Sequence, residues 1–207
     1  MQKMVPATRR IIMPDSKTDW ELFGQFINGV AAASEMLSKA AQNGYLVEVV
    51  CLASNLIDAK LRLGIMLKRQ IKDRNRKIHV PLLLQRKGDK PVSERAIYKE
   101  ALAERVITFD QDERLNKLYN DRNRVIHRYI ISDITTDFVF QIASDYEKLN
   151  GEVTAALYKV EEEQIDLGLG ITVKGPKFEG PQAVEWLAEM TASKHGAPWL
   201  AGAIARK

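Results

Sequence analysis

One cysteine, Cys51, and three histidines, at 79, 127 and 195, stand in a chain of 207 residues. A single thiol excludes an internal disulfide, and histidines so widely scattered give no metal-ligand spacing. Long apolar runs are missing too: none approaches the roughly 20 residues that a membrane-spanning helix needs. Pro6, Arg9, Arg10, Pro14 and Asp15 interrupt the basic-then-apolar plan of a secretory signal. These absences predict a cytoplasmic protein with no metal, no cofactor and no membrane partner.

Charge is present but unevenly spread. The formal net charge is +4, a mild lean towards an anionic partner. Eleven basic residues fall between Lys60 and Lys90 against two acids, and seven acids fall between Asp145 and Asp166 against two lysines. Such blocks are expected to make one end of the molecule attractive to a polyanion and the other repulsive. As two solvated faces of opposite sign they would mean nothing more.

The apolar spacing is helical throughout and predicts an all-α, up-down bundle of about five helices. The first helix is expected over 19–42, closed by Asn43-Gly44, and its run Gly29 to Ser34 offers small residues for a close helix approach. The second, from Leu46 to about Gln70, is apolar nearly all round, which fits a central helix or one that also meets another subunit. A basic connection runs to Pro91, followed by a short helix over 93–106 and one capped by Asp110 with Glu113 three residues on. Its inward stripe is read as Leu115, Leu118/Tyr119, Arg122, Val125/Ile126 and Tyr129/Ile130. A long helix from Thr135 or Thr136 to Gln164 completes the bundle, with Gly151 marking a kink or a close crossing. The domain is therefore placed at 1–167. A glycine-rich linker and a C-terminal helix over about 182–194 with its tail fill 168–207.

The chemistry is concentrated in Asp121-Arg122-Asn123-Arg124-Val125-Ile126-His127-Arg128-Tyr129. A fixed cation, an amide, a side chain that titrates near neutrality and a phenol share nine residues, which suits a phosphate ester handled without a metal. Asp73-Arg74-Asn75-Arg76-Lys77-Ile78-His79 repeats it at six of seven positions, but has Pro81 where the second copy has Tyr129. Context favours the second copy, late in a capped amphipathic helix. The first is read as coincidence in a basic stretch or as a contributor to RNA binding through Arg74, Arg76 and Lys77.

Arg-x4-His-x-Tyr with Asn after the Arg resembles the signature of the HEPN superfamily, in particular the toxin halves of HEPN–nucleotidyltransferase pairs. The likeness covers about Asp19 to Gln164 in helix order; the segment after Gln164 has no counterpart in those compact toxins. It implies a helical bundle acting as a metal-independent endoribonuclease, a toxin or antiviral effector, whose homodimer joins two motif helices in one cleft. It also implies a nucleotidyltransferase antitoxin that modifies Tyr129. RNA supplies its own nucleophile, so neutral His127 is expected to take the 2′-hydroxyl proton and its protonated form to serve the leaving oxygen. Arg122 is expected to face the phosphorane oxygens, Asn123 to orient His127, and Arg124 and Arg128 to hold RNA. Five residues place Arg122 and His127 roughly 140° apart on a helix, so the composite cleft of a dimer is the natural remedy. Two other readings stand beside this one. In one, a catalytically silent module of the same type binds a nucleotide, nucleic acid or protein. In the other, both side chains merely bond neighbours in a helical core. A serine hydrolase lacks a matched base, and Cys51 lies in an apolar helix where thiols are inert.

Overall fold

Threonine and serine set the helix starts. Thr18 accepts from the Glu21 amide at 3.3 Å while Glu21 bonds back to the Thr18 amide at 2.7 Å, opening α1, Asp19–Gln42. The computed structural model describes residues 17–85 and 88–170, together with Glu189, Thr191, Ala192 and Lys194. Only residues 43–45 separate α1 from α2, Leu46–Asp73, the turn being made by Gly44 at φ 70°. A four-residue helix that the periodicity did not announce, α3 (Val80–Leu83), precedes α4, Glu94–Ala103, which Ser93 caps. Then come α5, Phe109–Arg128, and α6, Thr136–Asp166, capped by Thr135. Among the described residues every element is helical, and the fold is an all-α bundle.

The cap of α5 is Thr108 paired with Gln111, not Asp110 with Glu113. Thr108 has the extended backbone a cap needs, and Asp110 lies inside the first turn, where its charge complements the helix dipole. Of the C-terminal helix expected over 182–194, the four described residues are helical; the rest, with the linker from 171 and the tail, lies outside the described residues.

α2 is the hub. Among the described residues α1 and α3 to α6 all pack on it, and Val50, Ala53, Ile57, Leu61 and Ile65 are fully buried, as are Tyr146, Leu149 and Val153 of α6. Most of its apolar surface is thus covered within the chain, as expected of a central helix, with Leu52, Ala59 and Leu63 partly buried against the core and Val47 exposed. At Gly64 the neighbour comes so close that an added Cβ would stand 2.5 Å from Val106 Cγ1. Gly151 of α6 has nothing within 4 Å of such an atom, so no close crossing lies there; the tight approach is at Gly64, against the connection between α4 and α5. In the small-residue run of α1, Gly29 faces the Lys194 side chain.

Polar contacts fix the helix directions. Lys60 donates to Asn150 and Thr154, Lys68 pairs with Glu163 at 2.6 Å and Arg76 donates to the Gly168 carbonyl, so α2 and α6 run parallel and side by side. The basic and acidic blocks are therefore neighbours that partly neutralise each other, not opposite ends of a dipole. On α2 the inserted charges are paired as burial demands: Arg62 meets Asp58 at 2.6 Å and the Leu82 carbonyl at 2.8 Å, tying α3 to the hub. α5 runs against both, Arg114 reaching Glu152 and Arg122 reaching Ser54.

Candidate functional site

The inward face of α5 carries Leu115, Leu118, Arg122 and Val125, all buried, so Arg122 falls on the stripe where the spacing placed it. Only 9% of Arg122 is exposed. Its Nη1 donates to both carboxylate oxygens of Glu94 at 2.7 Å and to Ser54 Oγ at 3.1 Å. Its Nη2 donates to the Asn123 amide oxygen at 3.1 Å, and the guanidinium lies over the Tyr119 ring at 4.9 Å. Burial works against the charge, but the Glu94 hydrogen bond and charge outweigh it and hold the guanidinium above its ordinary range.

Two tyrosines complete this shell. Tyr98 donates its hydroxyl to Glu94 at 3.1 Å, and burial, then the neighbouring carboxylate, pushes its ionisation far above the usual phenol range. Tyr146 is pushed up by burial although Arg122 pulls the other way. Both are neutral at any ordinary pH. Three buried polar atoms lack a partner among the described residues: Arg122 Nε, the Tyr146 hydroxyl and Asp58 Oδ1. Asp58 feels the charges of both Glu94 and Arg122, so all three orphans belong to the surroundings of this ion pair. Unsatisfied buried groups are costly, and natural chains tolerate them where something else requires the arrangement.

His127 stands on the other side of the helix, exposed in its last turn, with no hydrogen bond or ion pair among the described residues. The structure does not bring Arg122 and His127 together, and Asn123 gives its oxygen to Arg122, not to the imidazole. Arg124 reaches Asp121 at 3.6 Å and covers the Phe138 ring; Arg128 is exposed. Tyr129 and Ile130 leave the stripe expected of them. At Arg128 the backbone turns to φ −131°, and Tyr129–Ile131 tighten into a 3₁₀ turn, which shifts the side-chain phase. Ile130 is consequently 93% exposed, and Tyr129 bonds Thr136 Oγ1 at 3.1 Å from the surface. With Ile126, Ile131 and Phe140 these residues give the end of α5 and the start of α6 an apolar surface.

The first copy of the motif has a different backbone. Arg74 is the left-handed C-cap of α2 at φ 51°, Asn75 Oδ1 accepts from the Lys77 amide at 2.9 Å, and Arg76 is bound to Gly168. Arg74, Lys77 and His79 are exposed, and Asn75, Lys77 and His79 help to line a cavity of about 260 Å³. Ser54, at the level of Arg122, and Asp73 are nineteen residues apart on α2, or roughly 28 Å at 1.5 Å per residue. The two copies therefore serve separate surfaces of one chain.

Sequence reasoning missed Ser54, Glu94, Tyr98 and Tyr146. Glu94 was concealed as an ordinary acid in a first turn; its spacing of four from Tyr98 was the available signal. No family model, curated protein or solved structure matches this chain.

Proposed function

We propose that the protein is a metal-independent endoribonuclease of HEPN type, a toxin or defence effector, working through His127. The observation that carries this reading is an exposed imidazole, without a partner among the described residues, one turn beyond a buried, charge-balanced Arg122, with Arg124 and Arg128 beside it. Neutral His127 takes the 2′-hydroxyl proton, O2′ bonds to phosphorus, and the bond from phosphorus to O5′ breaks as O5′ receives a proton from an imidazolium. The products are a 2′,3′-cyclic phosphate and a free 5′-hydroxyl. Arg124 and Arg128 hold the RNA backbone, and Arg122 and Asn123 meet the reacting phosphate.

In a homodimer the apolar surface of Ile126, Ile130, Ile131 and Phe140 is the face on which two motif helices meet, which would supply the second imidazole. Tyr129, at the same surface, is the group a nucleotidyltransferase partner would modify. A bulky anion there would block the phosphate site and pair with Arg124.

The test is incubation with RNA in EDTA. Cleavage should persist there and vanish in His127→Ala while the variant stays folded. Sedimentation only as a 23.4 kDa monomer at micromolar concentration would sink the composite cleft. The second reading, a silent binding module, is favoured by one fact: the Arg122 guanidinium is already spent largely on Glu94. A folded dimer that binds RNA and never cuts it would establish that alternative.

A further inference from the structure

The guanidinium of Arg122 is held on two edges of unequal strength. On the inner edge Nη1 meets both Glu94 oxygens at 2.7 Å and Ser54 Oγ at 3.1 Å, and Tyr98 bonds the same carboxylate. On the outer edge Nη2 meets, among the described residues, only the amide oxygen of Asn123, a half-buried residue, at 3.1 Å. The inner contacts pair two full charges in a largely buried place; the outer one pairs the cation with a neutral amide. Charge-assisted bonds between two ions are shorter and stronger than bonds to neutral groups, and separating a buried ion pair strands both members. An anion approaching from solvent therefore meets the Asn123 edge as the one that yields.

We propose that Glu94, with Ser54, positions Arg122 for an RNA phosphodiester, which displaces the Asn123 oxygen from Nη2 and leaves the Glu94 contacts in place. The inference rests on the reading of this surface as an RNA-cleaving site and gives that site a fixed inner half and an exchangeable outer half. Glu94 touches no substrate; it acts through Arg122, setting the rotation of the guanidinium and cancelling most of its charge in the resting state. Removing its charge should have two opposed effects. The freed cation attracts phosphate more strongly, and the loosened fork no longer aims at it.

The experiment compares wild type, Glu94→Gln and Glu94→Asp on cleavable RNA, and on a 2′-O-methyl oligonucleotide of the same sequence that cannot be cut. Glu94→Gln should bind the oligonucleotide several-fold more tightly and lower KM, yet lose roughly 10- to 100-fold in kcat, as a misplacement of about 1 Å would cause. Glu94→Asp, which keeps the charge on a shorter arm, should bind like wild type and lose kcat. A merely structural glutamate would reduce the folded fraction and apparent kcat without moving KM or oligonucleotide affinity, and that result overturns the proposal.

Should wild type bind the oligonucleotide without cutting RNA, the ribonuclease reading fails by itself, while tighter binding by Glu94→Gln still upholds the positioning role. Should Glu94→Gln not fold, nitrogen-15 NMR of the wild type decides. The Asn123 side-chain amide and Arg122 Nε signals must shift when the oligonucleotide is added. Unmoved signals, or no binding at all, overturn the proposal.

Discussion

Truncating Arg122 to alanine removes one member of a buried ion pair and leaves the other. Arg122 and Glu94 side chains are 11% and 23% exposed, so Glu94 would be left largely desolvated, with Tyr98 as its remaining donor. Breaking such a pair from one side costs about 3–5 kcal/mol, and the partial exposure of Glu94 places this case near the lower end. Loss of the contact with Tyr119 adds about 0.5–1 kcal/mol. The expected penalty is thus about 3–4 kcal/mol, or a Tm lower by roughly 6–16 °C in a chain of this size. Urea unfolding followed by helical circular dichroism at pH 7 measures it, with Glu94→Ala and the double variant closing a thermodynamic cycle. The double variant should be less destabilised than the sum of the singles by about 1–3 kcal/mol. An Arg122→Ala penalty under about 1 kcal/mol would refute the picture of a buried, consumed guanidinium. The result bears directly on function: loss of cleavage in Arg122→Ala means nothing about catalysis unless the assay is run where the variant is folded.

Gly64→Ala should destabilise the fold by about 1–2 kcal/mol, because crowding against Val106 exceeds the gain in helix propensity, whereas Gly151→Ala, with open space at its Cβ, should stabilise by about 0.5–1 kcal/mol. Thermal melts of the pair decide, and equal shifts would mean that α2 does not approach Val106 as described. Glu152 receives Arg114 on both carboxylate oxygens at 2.8 Å, and the Arg114 hydrogen bond first, then Gln111, holds its ionisation below the usual 4.5. A depressed folded-state pKa gives stability that is present above 4.5 and lost as pH falls through the lower folded value. Since the Glu152 side chain is 40% exposed, Glu152→Gln should cost only about 0.5–1 kcal/mol at pH 7. The gap from wild type should shrink on acidification below 4.5; a gap unchanged at pH 3 would show that the carboxylate charge is not what stabilises.

Local periodicity made the helices legible. The start and end of α1 follow from Asp19 and from Asn43-Gly44, and the stripe on α5 places Arg122 inward because burial repeats every three to four residues. Pairing across the bundle was not legible. Nothing in the order of residues says that Glu94 and Arg122, twenty-eight positions apart, share a pocket with Ser54. Charge blocks misled for the same reason: composition counts Lys68 and Glu163 as members of opposing blocks, whereas the parallel packing of α2 and α6 makes them partners. The stripe failed at Tyr129 because periodicity assumes that the helix continues, and the chain tightens there into a 3₁₀ turn.

The two copies of the heptapeptide show why a motif match alone decides so little. Arg74 and Arg122 occupy the same place in nearly the same string, yet one caps a helix from the left-handed region and the other is an interior residue of α5. The difference comes from outside the seven residues. α2 has run its length when it reaches Arg74, the Asn75 side chain folds back onto the Lys77 amide, and Pro81 lies at the second position of α3, where its lack of an amide hydrogen is harmless. α5, launched by Thr108, continues through Asn123 and Val125, and it is Val125 in the core that fixes the rotation turning Arg122 inward and His127 outward. An Asn side chain that caps a turn in one copy is free in the other to take Nη2 of the preceding arginine. The chemistry read from the second copy thus depends on helical register and on Glu94. Neither is part of the motif, and both can be changed without altering one of its residues.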